Sequence, residues 1–294
     1  MQILLTGATG FIGELLCEWL VGQGHRLTVL TRSPQAQTSA CFYLDNLDAV
    51  NNHECFDAVI NLAGASLADQ RWTPAYKQEI IASRLNTTHA VLNLLYRLER
   101  KPAVLLSASA IGYYGHHGDE KLDESGSATP GFSQDLCQRW EELALTAQEQ
   151  GVRVCLLRLG VVLDSGGGPF ERMAQPFNFG VANWLGSGHQ WLSWVHRKDV
   201  IRAMAYLLER DELQGAFNIT APEAVTSRGF CDAMKRHKRT FLSVPVPSVV
   251  LRLMVGEMAE ELLLSGQRVV PAALNDAGFR FHFPDLDSAL TDIV

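Results

Sequence analysis

The sequence lacks any long apolar run, any basic cluster and any paired cysteine motif, and each absence removes a class of protein. A membrane-spanning helix needs about 20 consecutive apolar residues, and no stretch of this chain supplies them. Lys and Arg number 25 against 32 Asp and Glu, a formal net charge of -7, and the cations are scattered. A nucleic-acid partner is therefore not expected. The six cysteines form no C-x-x-C pair and the nine histidines show no zinc-ligand spacing, so no metal site is expected. Thiols within apolar segments pack as small hydrophobes and suit a reducing compartment. The chain opens directly into a strand-forming run, and the expectation is a cytoplasmic protein without a signal peptide. Internal repeats and low-complexity segments are also missing.

What is present is a globular composition, with 47% hydrophobic and 19% charged residues over 294 positions. That length is generous for one core and comfortable for two lobes. The informative stretch is the first. Gln2-Ile3-Leu4-Leu5 is an apolar run short enough for a buried strand. Thr6-Gly7-Ala8-Thr9-Gly10-Phe11-Ile12-Gly13 follows, with glycines at three-residue spacing. Leu15, Leu16, Trp19 and Leu20 then fall on one helical face, and Gly24 stands where a helix would stop. Strand, glycine turn and helix together predict a dinucleotide-binding unit. Gly7 permits the tight turn, Gly10 lets backbone approach a pyrophosphate, and Gly13 allows close helix–strand packing. Thr6, Thr9, Phe11 and Ile12 line the same turn, and the helix N-terminus offers N–H groups to phosphate.

The second predicted strand, Arg26 to Leu30, ends in Thr31-Arg32-Ser33-Pro34. An acid at this tip would bind a ribose 2′-hydroxyl and favour NAD. Arg32, with Thr31 beside it, instead suits a 2′-phosphate and predicts NADP(H). Ala58 to Ile60 reads as a buried parallel strand, and Asn61-Leu62-Ala63-Gly64 at its carboxyl end is small enough for a ligand to approach. Thr73-Pro74 opens a long helix as N-cap and first helical residue. Val104-Leu105-Leu106 is the next buried strand and runs into Ser107-Ala108-Ser109-Ala110-Ile111-Gly112-Tyr113-Tyr114-Gly115. A hydroxyl there would face the nicotinamide end of a cofactor lying along the sheet edge. A helix is expected from about Ser133, then a strand from Val152 to Leu163 interrupted by Arg158 and Gly160. From Asp164 the texture changes to a glycine-rich joint and an aromatic segment suited to covering a substrate. One helical run is expected from Val249 to Leu264.

The fold expected is α/β, a Rossmann-type doubly wound parallel sheet with a smaller mixed α/β substrate lobe. Residues 1–163, with returning segments at about 190–220, would form the NADP-binding domain. Residues 164–189 and 221–294 would form the smaller lobe.

Several stretches resemble the extended short-chain dehydrogenase/reductase superfamily, which contains nucleotide-sugar epimerases. They are the opening turn, Asn61-Leu62-Ala63-Gly64, Leu85-Asn86-Thr87-Thr88, Ser109 with Tyr114-Gly115, and Trp194-Val195-His196 to Asp199. The chain is more closely similar to the atypical branch named epimerase family, or nucleoside-diphosphate-sugar epimerases. Arg71-Trp72-Thr73, Ser83-Arg84, Ser109 to Gly115, Arg139-Trp140-Glu141 and Gly186-Ser187-Gly188 carry that likeness, which runs to about Phe281. The resemblance implies cofactor contacts at Arg84, at Ser107 and Ala108, and at Leu159-Gly160. It also implies a catalytic Ser at Ser109, followed by Tyr-x-x-x-Lys on the next helix, with tyrosine as acid/base. Anchored on Glu141, those two slots hold Ser133 and Cys137. The segment Phe132 to Trp140 contains neither Tyr nor Lys.

Two functional readings follow. One is an NADP-dependent oxidoreductase or epimerase with a rearranged acid/base set, acting on a small or nucleotide-sugar-like substrate. Tyr113 or Tyr114 would supply the phenol, with Arg84 or Arg158 lowering its pKa by nearby positive charge. His196 with Asp199 is a second candidate acid/base set. The other reading is a non-catalytic NADP(H)-binding redox sensor or regulatory protein. The superfamily often dimerises through the long helices after the fourth and fifth strands, and the apolar faces here permit a homodimer.

Overall fold

The computed structural model describes residues 1–33 and 35–294; Pro34, the last residue of the second-strand tip, lies outside them. Its centre is a seven-stranded sheet. Five strands are β1 (Gln2–Thr6), β2 (Arg26–Leu30), β3 (Cys41–Leu44), β4 (Ala58–Asn61) and β5 (Val104–Ala110). Arg153–Leu159 and Gly215–Ile219 complete it. Across the sheet the order is Gly215–Ile219, Arg153–Leu159, β5, β4, β1, β2, β3. Every neighbouring pair is parallel. All carboxyl ends therefore share one edge. The order reverses between β1 and β4, which is where such sheets open a ligand crevice.

The sheet is covered on both faces, as a parallel sheet requires. Helices α1 (Phe11–Gly22) and α5 (Arg197–Leu208) cover one face and α2 (Pro74–Arg97) and α3 (Phe132–Leu145) the other, while α4 (Gly168–Asn178) and α6 (Ser227–His237) lie outside the sheet. Side chains alternate along β1: Ile3 and Leu5 join Leu16 and Leu20 of α1 and Val200 and Met204 of α5. Leu4 joins Val91, Leu94 and Leu95 of α2 on the other face. Thr73 caps α2 by accepting from Tyr76 N at 3.2 Å, with Pro74 as its first residue.

Two expected elements divide. The run from Val152 to Leu163 breaks at Gly160, and Val161–Leu163 leaves the main sheet to pair in parallel with Trp194–His196. A Cβ at Gly160 would stand 2.7 Å from the Ser193 carbonyl oxygen, so the break is a point where two chain segments touch. The run from Val249 to Leu264 forms a helix over Ser248–Val255, stops at Gly256 with φ +66°, and resumes as a π-helical turn over Ala259–Leu264.

A separate apolar cluster holds the outer part together. Phe170 and Phe177 of α4, Trp194, Phe230 and Met234 of α6, and Leu286 and Leu290 of the last helix, Leu286–Ile293, pack in it. Within this part Val181–Leu185 and Leu242–Val246 pair in parallel. Among the described residues no helix is long and apolar enough to cross a membrane.

Candidate cofactor groove and active site

At the carboxyl end of β1 the three glycines do different physical work. Gly7 has φ +74°, and a Cβ there would stand 2.6 Å from the Leu62 carbonyl carbon beyond β4. A Cβ on Gly13 would stand 2.1 Å from the Gly7 carbonyl oxygen. Gly10 is open apart from Gly7 O at 3.3 Å, and it begins α1 without any side-chain cap. The first N–H groups of α1 thus remain available at the end of the helix that attracts anions.

The neighbouring strand ends line the same edge. The Thr6 hydroxyl donates to Asn61 Oδ1 at 2.6 Å and accepts from Ala63 N at 3.2 Å. The Asn61 amide donates to Thr88 Oγ1, which also accepts from Trp140 Nε1, both at 2.9 Å. The side chains of Thr6 and Asn61 are therefore engaged within the protein, and they fix β1, β4, α2 and α3 in register. Leu62, Ala63 and Gly64 continue past β4, and Gly64 lies against Arg84, whose Cζ would stand 3.0 Å from a Cβ. Arg84 donates to Ile80 O at 3.1 Å, and burial pulls its pKa down.

Ser107 is fully buried midway along β5, paired in register with Asn61 at the end of β4, and its hydroxyl has no hydrogen-bond partner among the described residues. Ala108 beside it is buried too. At the tip of β2, Thr31 and Ser33 bond to each other and Arg32 points outward, exposed. Thr9 is exposed on the turn, and Phe11 and Ile12 are half-buried in its first helical residues. Leu159 ends its strand half-buried, next to the crowded Gly160.

Further along the carboxyl edge lies a buried polar chain. Ser109 donates to Glu141 Oε1 at 2.6 Å. Arg158 forks onto both Glu141 oxygens, each at 2.9 Å, and donates to the Tyr114 hydroxyl at 3.0 Å. Tyr114 donates onward to Asn218 Oδ1 at 2.7 Å. Burial lowers the Arg158 pKa, but the bonds to Glu141 outweigh it and the net shift is upward. Burial raises the Tyr114 pKa despite the opposing charge of Arg158. Tyr113 stands apart from the chain of hydroxyls. It is half-buried, and the Arg158 Cζ sits 3.4 Å from its ring centroid.

The two helix slots face this loop from α3. A Cβ on Gly112 would stand 3.1 Å from Ser133 Cβ and 3.6 Å from Cys137 Sγ. Burial, with Glu141 adding to it, pushes the Cys137 thiol up to about 11. A thiol so protonated is a poor nucleophile at neutral pH. The Ser133 hydroxyl is buried without a hydrogen-bond partner among the described residues. Glu261, from the π-helical turn, accepts from Phe132 N and Ser133 N at 3.2 and 3.1 Å and so caps α3 from a distant part of the chain.

His196 and Asp199 bond to none of these hydroxyls and hold the chain's end in place. His196 accepts from Lys198 N as the cap of α5 and stacks on Phe283 at 3.9 Å. Asp199 is fully buried and accepts from His282 N, Phe283 N and Arg202. Sequence reasoning missed Glu261, Asn218 and Glu124, whose carbonyl oxygen accepts from Arg158 at 3.1 Å and whose carboxylate accepts from Asn218 N at 2.9 Å. Glu141 was legible in principle: Ser133, Cys137 and Glu141 follow at four-residue spacing on one buried face of α3, and a buried acid there requires a cation.

A parallel sheet whose carboxyl edge carries an uncapped glycine turn at its switch point defines a dinucleotide-binding α/β protein of Rossmann type. The chain belongs to the NAD dependent epimerase/dehydratase family, whose model matches residues 3–220. Residues 246–293 match a domain of unknown function, DUF1731. It is 36% identical to epimerase family protein Mb2239 of Mycobacterium bovis over 290 residues, covering 98% of this chain and 96% of that one. It is 36% identical to epimerase family protein SH2119 of Staphylococcus haemolyticus, covering 100% and 99% of the two. Among solved structures it is similar to human epimerase family protein SDR39U1, isoform 2, with NADPH: TM-score 0.91, 31% identity, 100% of this chain and 99% of that one covered. These likenesses place the chain in the atypical epimerase branch of the short-chain dehydrogenase/reductases. Two local features fit the dinucleotide this family takes: the tight turn that Gly7 and Gly13 allow, which leaves Gly10 and the uncapped start of α1 open, and the unbonded Ser107 hydroxyl.

Proposed function

We propose that the protein binds NADP(H) along the carboxyl edge of the sheet and acts as an oxidoreductase or epimerase on a small or nucleotide-sugar-like substrate. The observation that carries this reading is convergence. The open glycine turn after β1, the unbonded Ser107 hydroxyl of β5, level with the end of β4, and the exposed Arg32 at the β2 tip follow one another across neighbouring strands. In this reading the backbone of Gly7 to Gly13 receives the diphosphate. Arg32, with Thr31, pairs with the 2′-phosphate. Leu62, Ala63, Gly64, Ala108 and Leu159 form the walls. Arg84 supplies the cation that the family's usual lysine would supply, on the nicotinamide-ribose side. The bound cofactor provides hydride exchange at the nicotinamide ring. Tyr113 Oη moves the proton at the substrate oxygen, and the Arg158 guanidinium over its ring stabilises the phenolate. Ser109 positions that loop through Glu141.

A specific observation favours a second reading, a non-catalytic NADP(H)-binding sensor: Ser109 and Tyr114 have their hydroxyls committed to buried partners. On the same footing we read residues 1–163 with about 190–220 as the cofactor domain and the rest as a substrate lobe. A homodimer through α2 and α3 and a cytoplasmic setting complete the reading; all six cysteines are free thiols.

The test is a titration with NADPH and NADH, followed by incubation with carbonyl compounds and nucleotide sugars and analysis of products. NADPH should bind at least about tenfold more tightly than NADH, since one charge-assisted contact contributes about 1.5–3 kcal/mol. Arg32→Asp should abolish that preference. An unchanged NADPH-to-NADH ratio in Arg32→Asp would refute the NADP assignment. Binding without turnover across the panel, and without sugar inversion, would select the sensor reading.

A further inference from the structure

Arg197, the first residue of α5, is 9% exposed, and its guanidinium is largely unbonded. Among the described residues its single hydrogen bond runs from Nη1 to Asp164 Oδ2, at 3.3 Å. Its Nε is buried with no partner. A guanidinium has five N–H donors in a planar fork, and a buried one normally finds several acceptors. Here it lies over an aromatic ring instead, with Cζ 4.5 Å from the Phe11 centroid. Phe11 is the residue that follows Gly10 at the uncapped start of α1.

The glycine joint closes the same corner. A Cβ on Gly168 would stand 2.6 Å from the Phe11 ring, and one on Gly166 would stand 3.5 Å from Arg197 Nη1. Asp164 is itself part of this joint and also bonds Ser165 N at 2.7 Å. Three pieces of chain thus meet at the rim of the glycine turn: α1, the Asp164–Gly168 joint and the start of α5. One of them presents a cation, and another holds it with a carboxylate.

We propose that Arg197 is a ligand for the dinucleotide's diphosphate, held by Asp164 when the groove is empty. The proposal rests on the dinucleotide reading above and adds a group outside the glycine motif. The N–H groups of α1 are dipoles with no net charge, and a diphosphate carries two negative charges. A full positive charge beside that helix start compensates one of them in a low-dielectric corner. Phe11 packs against the guanidinium and holds it at this corner. On binding, the diphosphate takes over donors from Arg197, the Asp164 carboxylate is displaced to solvent, and the glycines of the joint permit that movement. Asp164 competes with the ligand, so the two partners of one ion pair have opposite effects on affinity.

That opposition is the test. Wild type, Arg197→Gln, Arg197→Lys and Asp164→Asn are titrated with NADPH, NADH, ADP-ribose and adenosine 2′-monophosphate by calorimetry, and their unliganded thermal midpoints are measured alongside. Arg197→Gln should weaken NADPH, NADH and ADP-ribose alike by about tenfold, equivalent to about 1.4 kcal/mol. Arg197→Lys should restore part of this. Asp164→Asn should tighten all three by several-fold. Adenosine 2′-monophosphate has no diphosphate, and its affinity should not respond to any of the three. A purely structural ion pair would give the same sign for Arg197→Gln and Asp164→Asn, with lowered midpoints in both, and that result overturns the proposal. Wild-type binding that Arg197→Gln leaves within twofold overturns it as well. No dinucleotide binding by wild type would overturn the broader reading together with this one.

Discussion

Arg158 carries its charge at 4% exposure, and Glu141 opposite it is 5% exposed. Taking both ions out of water costs several kcal/mol each, and a bidentate fork with further bonds from Ser109 and to Tyr114 offsets that cost. Removing one partner leaves the other charged and buried. Arg158→Ala should therefore lose about 3–5 kcal/mol of stability, read as a lower urea midpoint at pH 7. A shift of less than about 1 kcal/mol, the range of an exposed pair, would mean that water reaches Glu141. The strand's arginine was visible in the sequence as an interruption, yet its partner was not. Glu141 lies 17 residues earlier on another element, and only the packing of α3 against β5 and Arg153–Leu159 brings them together. The same distance hid the Tyr114–Asn218 bond, whose partners are separated by 104 residues.

At the scale of elements, the strand–glycine–helix unit was legible because its requirements are local. Turn, close approach and helix start all fall within eight residues, so the spacing of the glycines carries the pattern without any distant contact. The structure assigns these roles to separate glycines and so separates two outcomes. Gly13→Ala forces a Cβ to 2.1 Å from the Gly7 carbonyl, and such overpacking should destabilise the fold by about 1–3 kcal/mol. Gly10→Ala meets its nearest atom at 3.3 Å, so its melting midpoint should stay near that of the wild type. Its dinucleotide affinity should fall, because the new methyl occupies the side from which phosphate approaches. Parallel melting and NADPH titrations of the two variants check this. Equal losses of stability in both would show that the turn is not built as described. The helix break at Gly256 was less legible. Val249 to Leu264 keeps an apolar helical pattern, and a glycine inside such a pattern is tolerated unless tertiary contacts force φ positive. Here Gly256 lies against Arg71, with a Cβ placed 2.9 Å from Nε, and that contact comes from 185 positions earlier in the chain.

At the scale of the whole molecule, the end of the chain folds back onto elements made much earlier. Glu261 caps α3, Glu124 accepts from Ala273 N, and Asp199 accepts from His282 N and Phe283 N. The parallel sheet was legible from short apolar strands alternating with helical patterns. These return contacts were not, since each joins a polar residue to a backbone group far away in sequence. They make stability depend on pH at one buried point. His196 is fully buried, its ring stacked on Phe283, and its Nε2 lies 3.2 Å from Asp292 Oδ2. Burial lowers its pKa below the usual 6.5, against the pull of Asp292 and Asp164 and with a smaller push from Lys198. A histidine whose folded pKa is depressed binds its proton first in the unfolded chain. Stability is then full above pH 6.5 and falls as pH drops from there toward the folded value. Asp292 works in the same direction at lower pH: Lys198 holds its carboxyl below the ordinary 3.8, so its contribution is complete above that value and is lost as pH falls through the depressed one. The urea midpoint should accordingly decline between pH 7 and pH 5. His196→Asn, which retains an acceptor for Lys198 N and cannot be protonated there, should start lower at pH 7 and decline less steeply over that interval. A wild-type midpoint that is flat or rising between pH 7 and pH 5, or a slope that His196→Asn leaves unchanged, would remove His196 as the group that ties the end of the chain to α5 in a proton-dependent way.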